Sequence, residues 1–350
     1  MASDRRPKLR LEPRDEHMHP LEAASNFNES MYFNVFDPQR RHGGWFRLGN
    51  RANEGYAELT VCVYDADGTV HFQYLRPAIS NNDAFDAGGM RFTVVDPFRA
   101  LDVAYHGKVF ELRDPSVMAD PKVAFATSPS HDCAVELRFT GLSPMFGGEP
   151  ANEDGTPWME NGTDESGFAR GHYEQHVRAR GSIRIGERVL PIDGFGLRDH
   201  SWGPRYWQSP YWYRWLTINF GDDLGAMVTI LTGRDGSQKR HGTYFHDGRY
   251  DEIVDARVTS DYDASGSHRS VRAVCTTDRG EELVITGRVL SSIPLRNRRT
   301  ASDGEKLTTR ITEAFTEWRI GDRVGYGMSE YLDQILAGVP VGNGAESDSR

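Results

Sequence analysis

The chain has 350 residues, 38% hydrophobic, 11% aromatic and 26% charged, an ordinary balance for a soluble globular protein with a sizeable core. Its 51 acidic and 41 basic residues leave a net charge of −10, which excludes the basic field of a general nucleic-acid binder. No apolar run reaches transmembrane length and the charged N-terminus lacks a signal-peptide core, so stable membrane insertion is excluded and a cytoplasmic location is expected.

Residues 1–22, opening "MASDRRPKLRLEPRDEHMHP", read as a disordered or extended arm. The segment "HPLEAASNFNESMYFNVFD" predicts a helical turn and then an aromatic strand. Asn28, Glu29, Tyr32 and Asn34 lie within that strand. They suit a hydrogen-bond cluster at a strand edge or domain interface better than an inward catalytic Glu29. Short alternating runs follow, among them "AELTVCVYD", "CAVELRFTGL", "HVRARGSIRI", "GAMVTILT" and "FTEWRI". Turn pairs such as Asp67-Gly68, Asp235-Gly236, Asp247-Gly248 and Gly321-Asp322 separate them. The pattern predicts an antiparallel all-β protein, a sandwich or a barrel. "DPFRALDVAYHG" reads as a short helix or a bent strand, and "SSIPLRNRRTASDGEK" as an exposed basic loop.

Between Gly141 and Gly171 the composition turns rich in Gly, Pro, Asn and acidic residues. This predicts a first β domain over 23–145, a connection over 146–169, a second β domain over 170–338 and a disordered tail over 339–350. Cys62, Cys133 and Cys275 are widely spaced, without metal-ligand spacing, and read as buried thiols.

The segment "HYEQH", His172 to His176, superficially resembles a zinc-protease motif. That motif needs a helix and a Glu directly after the first His. Here the segment runs into an alternating strand, where two His four residues apart stand about 13 Å apart. No metal is predicted.

The densest chemistry lies in "GFGLRDHSWGPRYW", Gly194 to Trp207. Asp199 and His200 offer acid and base groups, Arg198 and Arg205 offer positive charge, and Trp202 and Trp207 offer flat apolar walls. The same residues could instead tie a turn, with Asp199 paired to an Arg and Trp202 plugging a barrel end. In the following strand Tyr211, Tyr213 and Trp215 share one face, which suits a cavity wall, while Trp212, Leu216 and Ile218 share the other. In "GYGMSEYLDQI", Tyr326, Met328 and Glu330 alternate on one face, which makes Glu330 an inward carboxylate candidate. Gly325 and Gly327 on the other face would admit close approach of another backbone. No dinucleotide fingerprint, phosphate loop or nucleophile elbow occurs, so no cofactor is predicted.

The stretch "IDGFGLRDHSWGPRYW" resembles the D-H-x-W-G signature of the carotenoid 1,2-hydratase/AttH-like superfamily, which includes kievitone-hydratase-like proteins and Diels–Alderase-type cyclases. The flanks "GHYEQHVRARGSIRIG" and "YWYRWLTINF" are similar to it as well. The resemblance implies two packed lipocalin-like β-barrels, a ligand cavity near their interface, and neither metal nor redox cofactor. It also implies hydration, isomerisation or cyclisation of terpenoid- or polyketide-like chains, with His200 and Trp202 linked to activity. A Tyr-x-Asp strand implicated downstream in the hydratases is missing from "DDLGAMVTILTG". The combined expectation is a cofactor-independent lyase or isomerase acting on an apolar small molecule. Asp199, His200, Trp202 and Glu330 would be catalytic, and Arg198, Arg205, Trp207, Tyr211, Tyr213 and Trp215 would bind substrate. A non-catalytic carrier of a lipid or terpenoid is the alternative.

Overall fold

The computed structural model describes residues 8–154, 156, 167–301 and 304–345. Two eight-membered rings of antiparallel strands dominate it. The first contains β1 (Phe27–Asp37), β2 (His42–Arg51), β3 (Tyr56–Tyr64), β4 (Val70–Leu75), β5 (Ala100–Leu112), β6 (Ser130–Gly141), β7 (Gly171–Ile185) and β8 (Arg188–Pro204). Each strand pairs with the next, and β8 closes the ring on β1. The second contains β9 (Trp212–Asn219), β10 (Leu224–Thr232), β11 (Gln238–His246), β12 (Arg249–Tyr262), β13 (His268–Thr277), β14 (Glu282–Thr300), β15 (Lys306–Ile320) and β16 (Arg323–Leu336). It closes through β16 and β9. The fold is thus all-β with two lipocalin-like barrels, and closure leaves neither ring a free edge.

Alternation explains why these strands form. In β3, Ala57, Leu59, Val61 and Val63 enter the first barrel, while Cys62 and Tyr64 face the other way into an aromatic layer between the barrels. In β9, Leu216 and Ile218 fill the second barrel, while Tyr213 and Trp215 face the first. Both barrels are therefore filled by their own side chains. A third apolar layer joins them, in which Phe36 stacks on Phe315 with centroids 4.2 Å apart. Two polar ties cross the same layer. Asn34 accepts from the Leu197 amide at 3.0 Å and donates to Thr217 at 3.2 Å, and His176 shares a hydrogen bond with Asn219 at 2.9 Å. Gly327 allows β16 to close on β9: a Cβ there would lie 1.8 Å from the Thr217 carbonyl oxygen.

The boundary between the barrels differs from the sequence expectation. β7 and β8, expected in the second domain, hydrogen-bond within the first ring, and the chain changes barrels at residues 205–211. The Gly- and Pro-rich stretch is an excursion inside the first ring; its Phe146–Ala151 part pairs with β7 and with Lys8–Arg10, and residues 155 and 157–166 lie outside the described residues. The arm from residue 8 onward is built into the structure, with Asp15 and Glu16 buried. In the tail, Val339–Pro340 pairs with β16 and the Gly342 amide donates to Asp333; residues 346–350 lie outside the described residues. The expected basic loop is largely the end of β14. "DPFRALDVAYHG" resolves as a turn leading into β5. The α-helix Pro121–Thr127, capped by Asp120, was not legible as an element of its own. Cys62 lies in the inter-barrel layer, Cys133 in the first core and Cys275 in the second. No helix among the described residues is long and apolar enough to cross a membrane.

Truncating the stacked pair tests the inter-barrel layer. Phe315→Ala should lower unfolding free energy by roughly 3–5 kcal/mol in urea denaturation, the usual cost of deleting a buried ring. A loss below about 1 kcal/mol, within the range of neutral surface changes, would contradict the packing described.

Candidate functional site

A cavity of about 620 Å³ opens between the barrels, large enough for a small organic ligand. Its wall combines residues of β1, β2, β3, β4, β7 and β8 with residues of β9, β10, β11, β14, β15 and β16. Aromatic side chains supply most of the apolar wall, including Tyr32, Trp45, Phe168, Trp207, Tyr213 and Trp215.

Two carboxyls meet in the wall formed by the second barrel. Glu313 of β15 and Glu330 of β16 are directly opposite cross-strand partners, both buried, and they hydrogen-bond one another. Tyr213 donates its hydroxyl to Glu330. Burial pushes both carboxyls above the usual range, and for Glu313 the neighbouring Glu330 pushes further. Two such groups cannot both ionise at little cost, so loss of a proton from one opposes its loss from the other.

The first barrel supplies a second polar group. Glu174 is buried and accepts from the Trp215 indole at 2.8 Å. Burial raises its carboxyl to about 7, with the nearby Asp199 adding to the rise and His172 opposing it. The His172 ring lies 3.8 Å from Glu174 and 3.7 Å from Asp199. Burial lowers its pKa, but the neighbouring Asp199 and Glu174 carboxyls outweigh that and raise it overall. Arg205, stacked 4.2 Å from the centroid of Phe168, completes this side.

The residues expected at the site divide by strand parity. The stretch read as an irregular corner is continuous β8, so neighbouring side chains leave on opposite faces. Asp199 faces the cavity, as do Arg205, Trp207, Tyr213, Trp215 and Glu330. Arg198, His200 and Trp202 do not line it; they point into the end of the first barrel. There Arg198 pairs with Glu16 at 2.6 Å. His200 bonds Tyr173 at 3.0 Å and Glu29 at 2.9 Å, and Trp202 stacks on His19 at 4.0 Å. Tyr211 lies beside the second barrel's core, outside the cavity wall. Asp199 and His200 therefore cannot act together in one cavity.

Glu29 is the hub of the barrel-end cluster. It bonds His19 at 2.6 Å as well as His200, and it accepts from Asn82 at 2.7 Å. Ligand-type atoms of His19, Glu29 and His200 lie within 4.8 Å of one another, each histidine already at hydrogen-bond distance from the carboxylate. Burial raises the Glu29 pKa, but hydrogen bonds from the two histidines overcome it and bring it to about 2. His172 and His176 lie on the same face of β7; the first faces the cavity and the second meets Asn219.

Three functional candidates escaped the sequence reading. Glu313 was detectable, because Ile311, Glu313 and Phe315 alternate on one face of "RITEAF" and a carboxyl among apolar neighbours is unusual. Glu174 was weighed only against a zinc motif. Arg47, on β2, had no local signal.

The chain belongs to the family of the domain of unknown function DUF7064, which it matches over residues 12–335. A search of curated proteins finds no match to the sequence. Among solved structures, an AttH-type protein from Nitrosomonas europaea superposes with a TM-score of 0.58 at 14% identity, covering 95% of this chain and 98% of the other. Kievitone hydratase from Nectria haematococca gives 0.52 at 9% identity, with the same coverages of 95% and 98%. CghA bound to Sch210972 gives 0.50 at 12% identity, covering 90% and 93%. These likenesses establish a shared fold.

The barrel-end cluster yields a prediction opposite to a catalytic role for His200. His200→Ala strips a buried partner from Glu29 and should destabilise the fold by roughly 3–5 kcal/mol. Ligand binding in the cavity should persist at temperatures where the variant is folded. The depressed Glu29 carboxyl contributes stability above its ordinary 4.5, and that contribution is lost as pH falls from there toward about 2. Acid denaturation of Glu29→Gln should accordingly show a flatter limb in this window. An unchanged limb would remove Glu29 from its role as hub.

Proposed function

We propose that the inter-barrel cavity is the active site of a cofactor-independent lyase or isomerase, with the Glu313–Glu330 pair as its general acid. The substrate is a mainly apolar small molecule of terpenoid or polyketide type bearing an isolated double bond. The observation that carries this reading is the carboxyl pair, set opposite one another and buried in an aromatic wall, where burial raises both above the ordinary carboxyl range.

Protonation of an alkene needs an acid that holds its proton above the ordinary carboxyl range and faces an apolar space; burial raises both carboxyls of the dyad, and the wall around them is aromatic. The proton passes to one alkene carbon, a C–H bond forms from the π pair, and the adjacent carbon becomes cationic. Trp207, Tyr213 and Trp215 offer ring faces to that cation. Water can then attack it, with the released proton passing to Glu174 beside His172. Loss of a neighbouring proton to Glu174 instead gives an isomer. Attack by a second double bond closes a ring and moves the cation to a new carbon, which loss of a proton to Glu174 or capture by water then quenches. In each case Glu174 releases its proton to solvent and solvent returns one to the dyad, which balances the cycle. Kievitone hydratase, which shares the fold, is by name a hydratase, and this supports the choice of reaction class.

The test is turnover in deuterated water over a panel of terpenoid and polyketide alkenes. Deuterium should appear at the protonated carbon, and Glu313→Gln and Glu330→Gln should each lower kcat by about 10²–10⁴-fold, the usual worth of a general acid. Folding should survive, since either change relieves a buried pair of acids. Activity should rise as Glu174 ionises near its value of about 7, and Glu174→Gln should abolish that limb. Tight binding of alkenes without deuterium uptake, unaltered in Glu313→Gln, would favour a carrier.

A further inference from the structure

Among the described residues four arginines are buried: Arg51, Arg198, Arg205 and Arg214. Three of them have a carboxylate within ion-pair distance: Glu54 for Arg51, Glu16 for Arg198 and Asp333 for Arg214. Among the described residues Arg205 has none. It retains 9% of its exposure, and that surface belongs to the inter-barrel cavity. Its Nη2 donates to the Ser201 hydroxyl at 2.8 Å, and its Nε is buried without a partner. The guanidinium stacks over Phe168 at 4.2 Å and Trp207 at 5.3 Å, so its faces are covered and its N–H edge is left for a ligand. Arg47 stands over the same Trp207 ring at 5.6 Å; it donates to Glu58 at 3.2 Å through Nη1, and its Nη2 is buried and unbonded.

A buried cation without an ion-pair partner is costly, and the chain that pairs its other buried arginines leaves this one only the longer-range charge of Asp199 in the same cavity wall. From this we infer that Arg205, assisted by Arg47, is a binding site for a carboxylate on the substrate, so that the ligand is an apolar acid rather than a neutral hydrocarbon. The inference rests on the reading of the cavity as an active site. A planar carboxylate matches the donor edge of a guanidinium, which can offer it two parallel N–H groups. Asp199, also in the wall, disfavours a phosphate dianion at the same place. Glu58, the carboxylate nearest Arg47, is already held by it.

The experiment needs no turnover, so its outcome is separable from that of the acid-catalysis test. Trp45, Trp207 and Trp215 line the cavity, and their fluorescence reports binding of decanoate, decanol and decyl phosphate. In the unaltered protein and in Glu313→Gln, decanoate should bind about tenfold or more tightly than decanol, the scale of a charge-assisted pair. Arg205→Met should abolish that preference while leaving decanol affinity unchanged. A second measurement needs no variant: decanoate, and not decanol, should raise the melting temperature of the unaltered protein at equal concentration. Equal binding of acid and alcohol, a preference that survives Arg205→Met, or tighter binding of decyl phosphate would each overturn the inference.

Discussion

The strands between the barrels are buried on both sides. One face of each fills its own ring, and the other meets the neighbouring ring across an aromatic layer. This double burial organises the molecule. It leaves each barrel interior packed and assigns ligand space to the seam between them, where Phe36 on Phe315 and the Asn34 and His176 bonds hold the surfaces together. A side chain's place is then decided by its parity along a strand, and two adjacent residues can belong to different compartments.

The same constraint divides the polar groups between two tasks. At the end of the first barrel, Glu16 and Glu29 are satisfied by Arg198, Tyr173, His19 and His200, and the N-terminal arm supplies part of that network. Against burial, these bonds bring both carboxyls below their ordinary range, Glu16 chiefly through the Arg198 charge and Glu29 through hydrogen bonds to the two histidines. In the seam, burial acts with less compensation. Glu313, Glu330 and Glu174 are pushed upward, and Arg205 is pulled down to about 10 by burial and by Arg47. Groups displaced from their ordinary ranges in a cavity are those equipped to exchange protons or receive a charged ligand.

Much of this was legible in the sequence. Alternation disclosed the strands, and the faces of β9 were assigned correctly, with Tyr213 and Trp215 at the cavity and Trp212 in the second core. Glu330 and the glycines opposite it behave as their spacing suggested. The domain boundary was not legible, because composition marks where a chain loops and not which sheet the next strand joins. The D-H-x-W-G stretch misled for a related reason. Its glycines and charges read as a corner, whereas continuous pairing with β1 and β7 makes it a strand that sends Asp199 to the seam and His200 into the barrel. Glu313 and Glu330 lie seventeen residues apart in sequence, and only the β15–β16 register brings them opposite one another.

The central claim is that the paired carboxyls in the seam keep a proton at a pH where ordinary carboxyls have lost theirs. Infrared spectroscopy in solution at about pH 8, well above the ordinary carboxyl range, reads this directly. The unaltered protein should show a protonated-carboxyl band that is absent from the Glu313→Gln/Glu330→Gln double variant. A spectrum without such a band, or one unchanged by the double substitution, would contradict the assignment of the general acid.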